Sequence, residues 1–436
     1  MEPKRYVLIV CYDFPGIYAA GVIRIYQLAR HLPDFGWQPI ILTAQPCTDD
    51  HEHNVEISDG QLPCPKITVT GRKFSLPSPS DHRERREGRD RAVSENHGSL
   101  KRLIGFASQL AVPDGKIGWL YPAVKCGLEI ARVYPIQMCF SISPRPTAHL
   151  VAHRLARHLK TPWVADFALP WSDAHWTAGR PRVIRWLDQR LERLVAQSAQ
   201  RITVAYADLA RSISARFGGA AAEKITVIPT GFEEELFTEP SYSSSSKFTV
   251  VYPGNHFCEQ GRDGKYFLKA IDDWLDLEPK LEGKVEFAFI GKRDDELLRQ
   301  REAMRHPKVI RVRPLISHRA CIREIRSSQA CVVNTVGNRI PAKVYECMRA
   351  GKWILALTNP GSDLEKMLRD YCKGVAVPAQ DSFAITNALQ STLRRSRSDK
   401  SEGSEAVRSL EMYSSNHGAQ RFAHIFEELL FKPAPL

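Results

Sequence analysis

Two side chains of opposite charge, Lys343 and Glu346, stand one helical turn apart in the segment RIPAKVYECMRAGKWILAL, residues 339–357. Pro341 suits the start of a helix because its φ is fixed and it has no N–H to pair, and Gly351 is a natural stop before a strand. A lysine beside the free amides of a helix N-terminus attracts an anion, and a carboxylate there accepts hydrogen bonds from hydroxyl groups. The alternative is an exposed i, i+3 ion pair, which is common and contributes little energy. The segment alone leaves both interpretations open.

A second group of candidate ligands lies in VVYPGNHFCEQGRDGKYFLKAI, a loop between a predicted strand and a predicted helix. Gly254 follows the strand directly, and Arg262 and Lys265 come just before the helix or inside it. A guanidinium at this place could hold a diphosphate through two parallel hydrogen bonds. The other interpretation is an ordinary solvated loop arginine.

The first half of the chain carries a similar loop, DFPGIYAAGVIR, after its first predicted strand. Gly21 would let the backbone approach a ligand closely, and Arg24 falls in the first turn of the following helix. The pattern differs from the GxGxxG fingerprint of dinucleotide sites. A simple tight turn therefore explains the glycine as well as a ligand does.

Two further candidates, His149 and Asp166, follow predicted strands of the first half. The histidine begins a helix in SISPRPTAHL, and the aspartate ends a strand in PWVADFALPWSD. A lone helical histidine is more often a surface or core residue than a catalyst, and His153 and His158 are close competitors. For Asp166, a helix cap or a turn is as good an interpretation as a ligand contact.

Short apolar strands that alternate with amphipathic helices would position these loops, and this pattern predicts parallel sheets covered by helices on both faces. The pattern stops at the serine-rich segment EPSYSSSSK and then restarts. We therefore predict an α/β chain of two Rossmann-like domains facing a cleft. The predicted parts are an N-terminal domain 1–238, a linker 239–247, a C-terminal domain 248–415 and a helix within 416–436 that packs back.

Ligands of such domains bind beyond the carboxyl ends of the strands. That rule would place Arg24 on one side of the cleft, and Arg262, Lys343 and Glu346 on the other. This constellation suits a nucleotide diphosphate better than a hydride-transfer cofactor. The chain contains none of the motifs GxxxxGK[ST], GxSxG, HExxH and Asp-x-Asp, so we predict neither a bound metal nor a cofactor.

The composition favours acidic partners. The 436 residues include 61 basic and 49 acidic side chains, a net charge of +12, which suits nucleotide phosphates or an anionic membrane surface. We expect no nucleic acid partner, because a zinc finger, an RNP signature and a long basic run with aromatic residues are all missing from the sequence. Ten cysteines without a CxxC pair predict neither a zinc site nor a disulfide framework. DDHEH at 49–53 has side chains that could bind a metal, but a polar loop is the favoured interpretation.

The sequence predicts a cytoplasmic location. The first apolar run is too short for a signal peptide, and no stretch approaches 18 apolar residues. Residues 70–112 are highly charged at first, which predicts a mobile loop, and then continue into SLKRLIGFASQLAV. This second part predicts a basic amphipathic helix, which would either lie in a membrane interface or pack on its own domain.

The whole layout resembles the family 4 glycosyltransferases, retaining enzymes with the GT-B fold that use nucleotide sugars. IPAKVYECMRAGKWILAL is similar to the family helix P-x-K-x-x-E-x-x-x-x-G-k-P-I-L-a, which is the most specific match. ITVIPTGFEEELF looks like the segment that ends the family's first domain, and AGVIRIYQLARHLPDFGWQPIILTA like its first loop, helix and second strand. PWVADFALPW is similar to the PWxaDfRDPW of one subgroup. The resemblance covers most of the chain.

The resemblance implies roles for the candidate residues. Glu346 would accept hydrogen bonds from the nucleotide ribose, and Arg262 and Lys343 would neutralise the diphosphate leaving group in place of a metal. His149 matches a family histidine near the reacting sugar, and Asp166 matches the acidic residue of the acceptor-side loop.

Three departures from the family pattern bear on the activity. Asn338 stands eight residues before Glu346, where the family often has a second glutamate that contacts the donor sugar. Ala168 and Leu169 replace the Arg and Asp of the subgroup, and Trp353 replaces the usual proline after the helix. The first departure implies a different donor sugar, and the second implies either a different acceptor or a lost activity.

We therefore expect an enzyme that moves a sugar from a nucleotide diphosphate donor to a lipid-linked or polysaccharide acceptor at the inner face of the membrane. One alternative is a catalytically degenerate GT-B protein that binds a nucleotide sugar or a partner enzyme. Another is a nucleotide-sugar epimerase, which would need acidic and histidine residues that this chain does not visibly cluster.

Overall fold

The computed structural model describes residues 4–14, 20–44, 66–69, 110–174, 177–239, 246–259, 261–398 and 410–431. The chain divides into two compact units. Unit 1 consists of Met1–Ala205, Leu209–Ile228 and Ala419–Leu436, and unit 2 consists of Tyr206–Asp208 and Pro229–Gly418.

Unit 1 is built on a parallel sheet of seven strands in the order β3-β2-β1-β4-β5-β6-β7. Its strands are β1 (Arg5–Val10), β2 (Trp37–Ala44), β3 (Lys66–Val69), β4 (Ile136–Ile142), β5 (Trp163–Phe167), β6 (Arg201–Val204) and β7 (Ile225–Val227). Its helices are α1 (Ala20–His31), α2 (Leu120–Val133), α3 (Thr147–Leu159), α4 (Arg182–Ser198), α5 (Ala207–Phe217) and the single turn α6 (Gly219–Ala222).

Unit 2 repeats this plan with six parallel strands in the order β10-β9-β8-β11-β12-β13. Its strands are β8 (Phe248–Pro253), β9 (Val285–Ile290), β10 (Ile310–Arg313), β11 (Ala330–Asn334), β12 (Trp353–Leu357) and β13 (Gly374–Val377). Its helices are α7 (Lys265–Leu277), α8 (Asp295–Glu302), α9 (His318–Ser327), α10 (Lys343–Arg349), α11 (Asp363–Tyr371) and α12 (Ser382–Ser398), and α13 (Ser415–Phe431) follows.

The central strands explain why the sheets form, since their apolar runs are buried on both faces as parallel sheets require. Residues 7–10 of β1 have no exposed surface, and every residue of β5 and β8 is buried. In each sheet the strand order reverses beside the first strand of the unit, between β1 and β4 and between β8 and β11. The loops after these four strands therefore surround the usual ligand-binding points of a doubly wound sheet.

The structure adds three strands that the sequence did not predict, β3, β7 and β13, and all three lie at a sheet edge. It also moves the predicted domain boundary. Residues 229–238 belong to unit 2, because Phe232 and Phe237 pack in one apolar cluster with Val344 and Cys347. The predicted linker 239–247 and the basic segment 70–112 lie mostly outside the described residues.

The last helix, α13, contributes to the core of unit 1, the unit that contains the N-terminus. Phe422 and Phe426 are buried there, and both rings meet Phe140 of β4 edge-on. The end of the chain therefore completes the core of unit 1. No helix in the described ranges is both long and apolar enough to cross a membrane.

Candidate functional site

At the edge of unit 2 where doubly wound sheets usually bind ligands, β8 and β9 are each followed by a glycine that allows close backbone contacts. The N–H of Gly254 donates to the carbonyl of Ile290 at 3.1 Å. A Cβ on Gly291 would lie 2.0 Å from the carbonyl oxygen of Gly254, far inside contact distance. Gly254 thus lies at the predicted place, and Gly291 next to it is needed for the packing of the two strand ends.

Two arginines lie at the point where the strand order of unit 2 reverses. Nε of Arg262 donates to the carbonyl of Asn334, the last residue of β11, at 3.1 Å. Nε of Arg339 donates to the carbonyl of Val336 in the loop after β11. Burial lowers the pKa of Arg339, and the nearby charge of Arg262 lowers it further. Two cationic side chains at the strand-order reversal make this edge of the sheet favourable for an anion.

The carboxylate of Glu346 is almost fully buried, with 2% of the residue exposed. Nζ of Lys343 donates to Oε2 at 2.8 Å, and Nε2 of His318 lies 2.7 Å from Oε1. Burial alone would raise the pKa of Glu346, but the Lys343 ammonium and the His318 ring outweigh it and bring the pKa down to about 2. Glu346 is therefore an ionised hydrogen-bond acceptor at neutral pH. This arrangement differs from the exposed ion pair that was the alternative interpretation.

His318 and Arg339 are the residues of this region that the sequence analysis missed. His318 is the first residue of α9, whose N-cap is the hydroxyl of Ser317. It follows β10, so the strand-end rule that singled out the other loops would have included it. The pairing with Glu346 itself joins residues 28 positions apart and has no local signal.

Asn338 lies in the loop after β11, and its side-chain oxygen accepts a hydrogen bond from Asn359 at 3.1 Å. Asn359 follows β12, so the contact joins the ends of two neighbouring strands. An amide at position 338 can both donate and accept, whereas the carboxylate expected from the family pattern only accepts.

In unit 1, His149 is fully buried near the start of α3 and takes part in a hydrogen-bonded chain. Nε1 of Trp163 donates to Oγ of Ser141 at 2.8 Å, and the same Oγ lies 2.8 Å from Nδ1 of His149. Among the described residues, Nδ1 is the only acceptor within hydrogen-bond distance of the Ser141 hydroxyl, so we infer that the single hydroxyl proton goes to Nδ1, which leaves the imidazole proton on Nε2. Within the described part of the chain, this Nε2 has no hydrogen-bond partner.

Burial lowers the pKa of His149 to about 3, so the ring is neutral at physiological pH. The imidazole stacks on Phe167, with the ring centroids 4.8 Å apart. A neutral imidazole with a proton on Nε2 can donate a hydrogen bond to an uncharged oxygen. It cannot serve as a positively charged acid at neutral pH.

Arg24 and Asp166 were predicted to contact a ligand, but both side chains are buried and bind each other. Nε and Nη2 of Arg24 donate to both carboxylate oxygens of Asp166 at 2.8 Å, and Nη1 donates to the carbonyl of Ile228 at 2.7 Å. The hydroxyl of Thr203 donates to the same carboxylate. Arg24 is 3% exposed and Asp166 is 0% exposed. A buried, bidentate pair of this kind joins α1 to β5 inside unit 1 and leaves neither group turned to solvent.

Close packing explains why position 21 is a glycine. A Cβ at this position would lie 2.9 Å from the carbonyl oxygen of Ser143 and from Cδ of Pro144. The glycine therefore lets α1 approach the loop after β4. Ala168, which departs from the subgroup pattern, is 5% exposed and belongs to the apolar core of unit 1.

The predicted residues that contact one another form two groups, one in each unit. Lys343 and Glu346 form one group in unit 2, and Arg24 and Asp166 form the other in unit 1. Among the described residues, no three His, Cys, Asp or Glu side chains converge as a metal site. DDHEH lies outside those residues, so metal independence stays a prediction.

Solved structures with the same fold are numerous, although no protein-family model matches the chain and no curated protein matches it in sequence. A sucrose-phosphate synthase from Thermosynechococcus elongatus superimposes with a TM-score of 0.67 at 14% identity, over 98% of this chain and 99% of that one. The Anabaena protein HepE in complex with UDP gives 0.66 at 13% identity, over 97% and 100%. The apo structure of OtsA gives 0.66 at 11% identity, over 99% and 100%.

These similarities extend over nearly the full length of both chains and confirm the predicted fold class. The chain has the GT-B fold, with two α/β units of parallel strands. The identities of 11 to 14% concern the fold alone.

Proposed function

We propose that this protein is a glycosyltransferase that takes a sugar from a nucleotide diphosphate donor. The observation that carries the proposal is the buried, ionised carboxylate of Glu346, held by Lys343 and His318 beside the strand-order reversal of unit 2. A carboxylate fixed in this way can accept further hydrogen bonds from a ribose diol, because each of its oxygens has a lone pair besides the one that Lys343 or His318 occupies.

The second part of the proposal is that cationic side chains of unit 2 bind the diphosphate. Arg262 and Arg339 lie in the loops after β8 and β11, near enough for the positive charge of Arg262 to act against that of Arg339. A diphosphate carries the negative charge that would relieve this repulsion, and the same charge grows on the leaving group as the sugar departs. We propose that they act together with Lys343, without a metal.

UDP is the first nucleotide to test. The structures of HepE contain UDP, UDP-glucose, or UDP and glucose, and a trehalose-6-phosphate structure from E. coli contains UDP-2-fluoro glucose. We propose retention of configuration, a lipid-linked or polysaccharide acceptor, and a cytoplasmic location at the inner membrane face. His149 would donate its Nε2 proton to an uncharged oxygen of the sugar or the acceptor.

A second candidate is a degenerate protein of the same fold that binds the nucleotide sugar without turnover. It is favoured by Ala168, which presents a methyl group to the core where the subgroup has a guanidinium. Turnover with a bound donor distinguishes the two candidates. Hydrolysis or transfer of the sugar supports the enzyme, and tight binding without either supports the degenerate protein.

The test is calorimetric binding of UDP-, GDP-, ADP- and TDP-sugars, each with and without EDTA. We expect one donor to bind equally well in both conditions. Glu346→Gln should weaken that binding about tenfold to hundredfold, since hydrogen bonds to a charged group contribute about 1.5–3 kcal/mol.

Glu192→Gln is the matched control, because Glu192 is also a fully buried carboxylate paired with a cation, Arg216, but lies in unit 1. It should leave nucleotide binding unchanged. Equal losses in both variants would mean that the effect of Glu346 is on folding, and no binding of any donor would contradict the proposal.

A further inference from the structure

Helix α4 exposes an unusual amount of apolar surface for a helix on the outside of a soluble unit. Four apolar side chains of this helix are exposed, and they recur at helical spacing along it: Val183 (64%), Trp186 (51%), Leu187 (36%) and Leu194 (40%). Seventeen residues at 1.5 Å each make this face about 25 Å long. Isolated apolar residues on a surface are ordinary, but several on one helix, three of them within five residues, indicate a contact site.

The exposed face of α4 is also strongly basic. Its exposed charged residues are four arginines: Arg182, Arg185, Arg190 and Arg193.

Both acidic side chains of α4 point inward. Asp188 pairs with Arg180, and Glu192 pairs with Arg216 and accepts a hydrogen bond from the N–H of Ser172. The exposed charges of the helix are therefore positive, while its two carboxylates are paired with arginines inside the unit.

The apolar and basic residues lie on two adjoining sides of the exposed arc, as in an amphipathic interfacial helix. At 100° per residue, Val183, Leu187 and Leu194 share one side of the exposed arc, and three of the arginines flank it on the other. The guanidinium of Arg190 lies 4.9 Å from the ring centre of Trp186, between the two sides. Tryptophan and long arginine side chains can place apolar parts in a lipid layer while their polar ends stay at its surface.

We propose that this face of α4 binds an anionic lipid bilayer. The arginines would pair with lipid phosphates, and Trp186 and Leu187 would enter the headgroup region. A second copy of the chain fits the face poorly, because a symmetric contact would set four arginines against four arginines. This inference deepens the proposed function, since a membrane surface is where a lipid-linked acceptor would be found. It gives that contact to α4 rather than to residues 99–112, which lie mostly outside the described residues.

The test is co-sedimentation of the full chain with vesicles, without any nucleotide. Vesicles of phosphatidylcholine with phosphatidylglycerol should bind the protein, and vesicles of phosphatidylcholine alone should bind it much less. Each arginine near an anionic surface contributes about a fivefold factor, or about 1 kcal/mol. Arg182→Gln with Arg185→Gln should thus weaken binding about 25-fold, and Trp186→Ser with Leu187→Ser should weaken it at every salt concentration.

Phe383→Ser is the control, because Phe383 is 76% exposed but lies on α12 in unit 2. It should bind vesicles like the unaltered protein. Unchanged binding in the α4 variants, an equal loss in Phe383→Ser, or no preference for anionic vesicles would overturn the proposal. So would a concentration-dependent dimer that Trp186→Ser abolishes, since the face would then be a protein contact. Because no nucleotide is present, these outcomes are independent of donor binding by unit 2.

Discussion

Replacement of Glu346 by glutamine tests whether the carboxylate is held as an ion inside unit 2. Glutamine keeps the shape of the side chain and removes the charge, so Lys343 and His318 lose their anionic partner. Both of these side chains are only 15% exposed, so water replaces that partner poorly. The substitution should therefore destabilise unit 2 as well as weaken nucleotide binding.

The size of the effect follows from the pKa of Glu346, which falls from 4.5 in a free side chain to about 2 in the folded protein. At 1.36 kcal/mol per pKa unit, the ionised form contributes about 3 kcal/mol to the free energy of unfolding at pH 7. Because the folded pKa is the lower one, this contribution is complete above pH 4.5 and is lost as the pH falls toward 2. About half of it should remain at pH 3.

Urea unfolding of both proteins, followed by circular dichroism from pH 7 to pH 3, measures this difference. We expect about 3 kcal/mol at pH 7 and a clear decrease below pH 4.5. Glu302→Gln, at an exposed position at the end of α8, should change stability by less than about 0.5 kcal/mol at any pH. A difference for Glu346→Gln that is equal at pH 7 and pH 3, or that is below 1 kcal/mol at pH 7, would refute the buried ion.

Two further predictions concern the hydrogen-bonded histidine and the strand ends of unit 2. Nitrogen-edited NMR should find His149 neutral down to pH 5, because its pKa is about 3, with its proton on Nε2. The Ser141→Ala substitution should give a mixture of the two tautomers. A proton on Nδ1 in the unaltered protein would contradict the assignment. Gly291→Ala should cost about 1–3 kcal/mol in urea unfolding, since its Cβ would meet the carbonyl of Gly254 at 2.0 Å. A Cβ at position 283 would meet no neighbouring atom, so Gly283→Ala should reduce the free energy of unfolding by less. Equal losses in the two variants would show that the close contact at Gly291 is unimportant.

The sequence predicted the central strands because burial on both faces leaves a continuous apolar run. It missed β3, β7 and β13, the edge strands KITV, ITV and GVAV, for the opposite reason. Each has three or four residues and one neighbouring strand, and no residue of β7 or β13 is fully buried. Their residues are common in strands, but a run this short gives no clear periodic signal, and the neighbouring strand completes the assignment.

In the candidate site, too, the sequence predicted contacts between neighbouring residues and missed contacts between residues far apart in the chain. The i, i+3 spacing predicted that Lys343 and Glu346 would meet, and they do. Spacing along a helix cannot show whether a pair is buried or which third group joins it, so His318 was missed. The pairing of Arg24 with Asp166 joins residues 142 positions apart. Each of the two looked like a free ligand because its partner lay far away in the sequence.

The position of α13 has a consequence for the order in which the protein folds during synthesis. Phe422 and Phe426 complete the core of unit 1, but the 190 residues of 229–418 must be translated before them. At 5–20 residues per second this takes about 10–40 s, during which the apolar side of β4 at Phe140 lacks its cover. Unit 2, although second in the sequence, has all of its residues available first. The unit that begins the chain is therefore the last to close, and until then it is the part of the nascent protein that most needs protection from aggregation.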